Sequence, residues 1–405
     1  MNLNKRGYLK VFKTIFSVFF LLFWLLERLI PRNKNIMVFG AWYGTKYSDN
    51  VKALYEYILH NKPELKPYWI THNKKVFQKL KKENKPVSMA YSLKGWLISL
   101  RAFAVFINND TNDINKFALN GAIQIWLWHG MPLKKIRGSN KDYFDNKRDI
   151  ISKTEQVVVK YIKLFNNFKG SVSATVSSGD FFVPFLQSAF YLQEKDVWLT
   201  GLPRTDFFFA GKTEKIIDDL RKKYIDSRIV LFMPTWRDTS SVKRKPYNPF
   251  TDSSYDEAEF NRFLEKENVI FMYKPHFRDQ DIRISSSGRF VSIKDDDYDE
   301  LYNLVSNIDI LITDYSSIYF DFLCLQKPAI LAPFDYEAYI SDSREHYFDY
   351  NILPSIKAYS WDELMRIIAE KKYYALPKET VEQYCKYNDG HASERALQKT
   401  IELLA

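Results

Sequence analysis

The chain has 405 residues, 46% hydrophobic, 17% aromatic and 27% charged, enough apolar surface for packed cores, which excludes fibrous chains and long disorder. Its length predicts two domains, and its two cysteines, Cys324 and Cys385, are what a reducing compartment leaves rather than a disulfide framework. The formal charge is +10, but seven basic residues and one acid within residues 1–34 supply +6, leaving +4 for the other 371 residues. A nucleic-acid reader would spread basic residues along a groove among stacking aromatics, so the balance points to an anionic membrane surface and not to nucleic acid.

Between the basic clusters of 1–34 lies Thr14 to Leu26, TIFSVFFLLFWLL, thirteen residues without a charge. Spanning a bilayer takes about 20 apolar residues, so the run is short for a transmembrane helix. Glu27-Arg28-Leu29-Ile30-Pro31 follows with no small-x-small cleavage pattern, which argues against export. Apolar bulk, Trp24 and flanking Lys and Arg predict a membrane-associating helix lying in the plane of an anionic leaflet and ended by Pro31. A core helix that happens to come first is the alternative.

Next, 35–39 reads as a strand, 50–60 as a helix capped by Ser48 or Asp49, and 67–70 as a strand. A helix over 74–82, an extended 86–89, a helix over 92–101, and buried strands at 103–107 and 123–128 continue the alternation. Strands at 174–177 and 197–200 complete one doubly wound parallel sheet. A second series has strands at 228–233, 269–273, 308–313 and 329–332, separated by helices near 255–267, 299–307 and 316–326. Two successive series predict an α/β chain with two Rossmann-like domains and a cleft, the GT-B architecture, with ligands outside the carboxyl ends of the strands. The expected division is 1–34 for the membrane segment, 35–200 for an N-terminal domain and 201–405 for a C-terminal one. Residues 238–254, rich in Ser, Thr, Lys and Pro, read as a surface loop.

No Walker A run, G-x-G-x-x-G, G-x-S-x-G or H-E-x-x-H occurs, which disfavours NTP hydrolysis, dinucleotide redox chemistry, a hydrolase elbow and zinc proteolysis. The six histidines are scattered, so no zinc site is expected. Asp295-Asp296-Asp297 precedes the helix expected at Asp299 and reads as a solvated capping cluster rather than a metal motif. The positive signals sit at strand ends. WHGMPLKK puts His129 directly after an apolar strand, where a near-neutral imidazole can take a proton from a hydroxyl, although a lone histidine is more often structural. MPTWR offers the flat face of Trp236 and the guanidinium of Arg237, and YKPH offers Lys274 and His276. TDYSS brings Ser316 and Ser317 to a helix start, where amides and the helix dipole suit a phosphate, or where serine simply caps. Together the three loops describe an aromatic surface for a base and donors for a diphosphate.

Seven stretches in order, WHGMPLKKI, GLPRTDFFF, MPTWRD, YKPHF, TDYSSIYFDF, PFDYEAY and DGHASER, carry a resemblance. From Asn35 to its end the chain resembles the CDP-glycerol glycerophosphotransferase family, the teichoic-acid primases and polymerases of bacterial cell envelopes. The resemblance implies a GT-B-like fold, a CDP-glycerol or CDP-ribitol donor, an undecaprenyl-linked lipid acceptor, and a peripheral position on the cytoplasmic face of the membrane. It assigns the catalytic base to His129 and a second catalytic histidine to His276, with Lys274 where some relatives have histidine. Donor phosphates go with Asp314, Ser316 and Ser317, and Asp389 and Gly390 are expected near the donor. Arg204, Asp206, Thr235, Trp236, Arg237, Thr313 and Asp335, within the same motifs, complete the expected substrate-binding set. The chain's length is closer to that of primases and short-chain extenders than to long polymerases.

The expected reaction is attack of an acceptor hydroxyl on the β-phosphorus of CDP-glycerol with departure of CMP, no cofactor, no metal needed to fix the donor, and at most a weak Mg²⁺ dependence. Ribitol phosphate transfer, a GT-B sugar-nucleotide glycosyltransferase and a non-catalytic nucleotide-binding scaffold on the membrane stand as alternatives. A homo-oligomer is compatible with all of them.

Overall fold

A computed structural model describes residues 26–140, 172–237, 248–276, 288–342 and 345–403. The segment expected to lie on a membrane falls almost wholly outside the described residues, as does most of the polar loop at 238–254. Among the described residues no helix is long and apolar enough to cross a membrane.

Two parallel sheets organise the chain. The first runs β3-β2-β1-β4-β5-β6-β7 and comprises β1 (Asn33–Gly40), β2 (Lys66–Thr71), β3 (Val87–Met89), β4 (Ala102–Ile107), β5 (Ile123–Trp126), β6 (Ala174–Val176) and β7 (Val197–Trp198). The second runs β10-β9-β8-β11-β12, from β8 (Arg228–Met233), β9 (Val269–Tyr273), β10 (Phe290–Ser292), β11 (Ile310–Thr313) and β12 (Ala329–Leu331). In each sheet the order reverses beside the first strand, so β1/β4 and β8/β11 flank the crevices where α/β folds bind ligands. The central strands are unbroken apolar runs because helices cover both faces; IVLF of β8 and all five residues of β9 are buried.

The helices are α1 (Asp49–Asn61), α2 (Lys74–Lys82), α3 (Leu93–Arg101), α4 (Val183–Phe190), α5 (Lys215–Lys223), α6 (Glu257–Lys266), α7 (Leu301–Ser306), α8 (Ile318–Phe322), α9 (Tyr336–Asp342), α10 (Trp361–Ala369), α11 (Lys378–Cys385) and α12 (Ala392–Glu402). Ser92 caps α3 through Gly95 N and Ser360 caps α10 through Glu363 N, local signals of helix starts. Outside the second sheet, Trp361 of α10 is fully buried among Phe250, Phe260, Phe271 and Phe334. The inner face joins a core continuous with the first sheet through contacts such as Phe182–Phe320 and Phe208–Tyr302, both with ring centroids within 4.9 Å. The last two helices return to the first half: Ser178 Oγ donates to Tyr384 O at 2.7 Å, and α12 packs on α1. Both cysteines are free.

The short strand β10 and the helices beyond β12 had no sequence expectation. The strand expected to run to Trp128 stops at Trp126, because Trp128 adopts a left-handed φ of 53°.

Candidate active site

The loop after β5 is held from both sides. Leu127 N donates to Ile107 O at 2.9 Å, and the amide of Asn50, one residue into α1, donates to Leu127 O and Trp128 O at 3.1 and 2.9 Å. The backbone then turns left-handed at Trp128, and Gly130 has φ +135°. This delivers His129, half-buried, between the rings of Trp128 and Trp42, with centroids 4.1 and 5.4 Å away. Trp42 follows β1 and its turn is fixed by Asp113, whose carboxylate accepts from Tyr43 N, Asn108 N and Asn109 N at 2.6–2.8 Å. Burial pushes the Asp113 pKa up to about 7 against these three donors.

The loops of the two sheets meet at Gly130. A Cβ placed there would stand 2.2 Å from Ser317 Oγ and 3.0 Å from the Arg204 guanidinium. Ser316 and Ser317 are half-buried at the start of α8, and the Ser317 hydroxyl does not cap that helix. Arg204 is buried and donates to Asp49 Oδ1 at 2.8 Å and Asp321 Oδ2 at 2.5 Å, while Tyr302 Oη donates to the same Asp321 oxygen. Burial works against the Arg204 charge, but Asp321 and Asp49 outweigh it and hold its pKa above the ordinary arginine value. In this geometry the guanidinium ties α1, the turn at Pro203–Phe209 and α8 together.

At the second sheet's crevice Asp314 cross-braces two motifs. Its Oδ1 accepts from Thr235 N at 2.7 Å and Tyr315 N at 2.6 Å, and its Oδ2 pairs with Arg237 at 2.8 Å. Asp335 grips Arg237 in a two-point fork at 2.6 and 2.8 Å, and the guanidinium faces the stacked rings of Tyr315 and Tyr339. Thr313 Oγ1 donates to Met233 O, whereas Thr235 Oγ1 is buried without a hydrogen-bond partner among the described residues. Trp236 and His276 form a near-parallel pair with centroids 6.0 Å apart. Lys274, two residues before His276, is buried and donates to Asp295 Oδ1 at 2.9 Å; Lys46, after β1, donates to Asp295 Oδ2 at 3.1 Å. Burial opposes the Asp295 charge, but the two ammonium groups hold its carboxyl well below the usual range. The acidic run is therefore not a purely solvated capping cluster as expected: Asp297 accepts from Lys294 N, but Asp295 bridges two cations. Among the described residues no group of three or more His, Cys, Asp or Glu side chains is arranged to hold a metal ion.

Asp206, Asp389 and Gly390 gather at the start of α12. Asp206 accepts from Ala392 N and Ser393 N at 2.9 and 2.8 Å and so caps α12; Asp389 takes a two-point contact from Arg395; and Gly390, at φ +90°, abuts Phe209. Several residues of the site had escaped notice. Asp321 is a lone acid in the apolar run IYFDFLCL, and a buried charge of that kind calls for a partner. Asn108 directly follows β4, the strand beside the one whose loop carries His129, and both of its side-chain amide atoms are buried without a partner among the described residues. His346 carried no local signal. It pairs with Lys134 in a bridge that straps the loop after His129 to the second half, with Lys135 N to Glu345 O at 2.7 Å and Tyr347 N to Leu133 O at 2.9 Å.

The loop of a half-buried imidazole thus abuts the serine pair through Gly130, while an indole, a second imidazole and an anchored guanidinium sit on loops that follow strands of the second sheet. That set suits proton removal from a hydroxyl beside a bound nucleotide diphosphate. A family model described as CDP-Glycerol:Poly(glycerophosphate) glycerophosphotransferase matches residues 22–402. The teichoic acid glycerol-phosphate transferase of Staphylococcus aureus is 30% identical over 380 residues, covering 90% of this chain and 92% of that protein. The ribitol-phosphate polymerase TarL of the same organism is 30% identical over 238 residues, covering 56% and 41%. Among solved structures, the wall teichoic acid polymerase TagF superposes with a TM-score of 0.70 at 19% identity, covering 100% of both chains. The chain is a transferase belonging to the CDP-glycerol:poly(glycerophosphate) glycerophosphotransferase family.

Proposed function

We propose that the protein transfers glycerol phosphate from CDP-glycerol to the terminal hydroxyl of an undecaprenyl-linked acceptor at the cytoplasmic face of the membrane, in the assembly of teichoic acid or a related polyol-phosphate polymer. The carrying observation is the direct abutment of Gly130 on Ser317, which sets the His129 loop against the serine pair. The acceptor oxygen bonds to the β-phosphorus, the bond from that phosphorus to the bridging oxygen breaks, and CMP departs with the bond pair. His129 takes the hydroxyl proton. Trp236 stacks on the base, and His276, Ser316 and Ser317 meet the diphosphate, with Arg237 and Lys274 supplying positive charge. Residues 35–200 serve the acceptor, residues 201–405 the donor, and residues 1–34 the membrane.

Similarity to a ribitol-phosphate polymerase supports CDP-ribitol as a second donor reading. Purified protein incubated with CDP-glycerol, CDP-ribitol, or UDP- and GDP-sugars, each with an undecaprenyl-like acceptor, separates the readings by released nucleotide and product mass. CMP with a gain of one glycerol phosphate is expected, and UDP or GDP release with sugar transfer would overturn the chemistry. His129→Ala is expected to lower turnover about 10²–10⁴-fold in folded protein.

A further inference from the structure

We propose that α3, together with Tyr91 just before it, is a second membrane-contact surface that lies on anionic phospholipid and holds the mouth of the site at the bilayer. The proposal rests on the membrane reading given above and names where, beyond residues 1–34, the folded body touches the lipid.

The sequence of α3, LKGWLISLR, has two faces. Gly95, Ile98 and Ser99 are buried toward the sheet, whereas Leu93 and Leu97, one turn apart, are 78% and 56% exposed. Tyr91, at 54%, is exposed just before the helix start, with its ring beside Phe117. Two apolar side chains on the solvent face of a nine-residue helix leave water-exposed surface that a lipid interface would bury. The charges on α3 itself have one sign. From Pro86 to Asn109 the chain contains Lys94 and Arg101 and no acidic residue, and Lys116 is exposed close by with its ammonium over Phe117 at 5.1 Å. Basic groups flanking exposed leucines are the pattern that binds an anionic leaflet.

Position commits the surface to lipid rather than to a protein partner. The segment leading from residues 1–25 is pinned at the C-terminal end of α3: Arg32 donates to Ser99 O and Ala102 O at 2.9 and 3.4 Å, and Arg28 donates to Asn120 Oδ1 at 3.0 Å. The stretch from Arg28 to Arg32 therefore enters the body where α3 ends, and Leu29 within it is 76% exposed. From that point α3 runs back about 13 Å to the carboxyl edge of the sheet. At its other end the ring of Tyr91 is 5.1 Å from His72, whose ring packs against Gly44. Gly44 closes the turn carrying Trp42, the neighbour of His129. One edge thus links the origin of the amino-terminal segment to the candidate base, and a lipid-linked acceptor lying in that plane would meet His129 without leaving the interface.

The test is co-sedimentation of the full chain with vesicles of phosphatidylglycerol and phosphatidylethanolamine, and with phosphatidylcholine alone. Leu93→Glu/Leu97→Glu is expected to lower the partition coefficient on the anionic vesicles about tenfold or more. Both positions are exposed, so the thermal midpoint and CMP release with a short-chain, water-soluble acceptor should stay at wild-type levels. Ile225→Glu, 75% exposed in the second half, should bind as wild type does. Equal binding by the wild type and the double variant would overturn the proposal and leave the membrane reading standing. Failure of the wild type to bind anionic vesicles would overturn both, and equal binding to phosphatidylcholine would overturn the anionic preference. A second measurement guards against misfolding: an environment-sensitive fluorophore on Leu97→Cys should shift to shorter wavelength with anionic vesicles, and an unchanged spectrum would count against α3.

Discussion

Gly130 lies so close to Ser317 that a Cβ on the glycine would stand 2.2 Å from the serine hydroxyl, on a backbone held at φ +135°. Gly130→Ala must therefore push apart the two loops that carry His129 and the serine pair. Turnover is expected to fall about 10–100-fold, the equivalent of about 1.4–2.7 kcal/mol. Ser317→Gly added to Gly130→Ala relieves the contact but not the backbone strain, so stability should recover in part, with a coupling energy of about 0.5–3 kcal/mol in a thermal or denaturant cycle. Additive effects would mean that the loops do not touch in solution.

Arg204 is buried against two carboxylates, and removing one member of such a set strands a charge. Arg204→Met is expected to cost about 3–5 kcal/mol, and Arg204→Met/Asp321→Leu to recover much of the loss. Urea unfolding followed by two probes measures this and checks for domain-wise unfolding. The same pair of variants separates a clamp from a substrate contact. If the guanidinium binds the donor, the stabilised double variant will still show a raised KM for CDP-glycerol.

Arg237 is held by the Asp335 fork and by Asp314, an arrangement that a lysine cannot reproduce with its single ammonium. Arg237→Lys is expected to raise the donor KM about tenfold or more while leaving acceptor KM near wild type, as read by CMP release. An unchanged donor KM would remove Arg237 from the donor site.

His346 supplies a pH signature. Burial first, then Lys134, holds its pKa down to about 4, with Asp349 opposing, and its Nε2 has no hydrogen-bond partner among the described residues. The unfolded chain binds this proton more readily, near the ordinary histidine value of about 6.5. The contribution is therefore fully present above that value and is lost as pH falls through the window toward 4. The thermal midpoint should drop across that window, and His346→Gln should flatten part of the slope relative to wild type. An identical slope in the variant would mean that the imidazole is protonated in the folded strap.

Local physical chemistry makes much of the architecture readable in the sequence. Arg228–Met233 and Val269–Tyr273 were expected with those bounds because central parallel strands are unbroken apolar runs closed by turns. Phe290–Ser292 was missed because three residues carry no period; only pairing with β9 makes them a strand. The loops bearing His129, Trp236, His276 and Ser317 were likewise legible, since polar and glycine residues directly after apolar strands mark the ligand-bearing edge.

What the sequence determined, then, was the alternation of strands and helices, the strand-end motifs and the family, because those depend on neighbours a few residues apart. Tertiary structure decided what the charged residues do. Arg204 finds Asp49 across 155 positions and Asp321 across 117, Lys46 finds Asp295 across 249, and Gly130 finds Ser317 only when the two sheets are brought edge to edge. A buried charge must be paired, but its sequence does not say with which of many distant carboxylates; the packing of the two halves makes that choice.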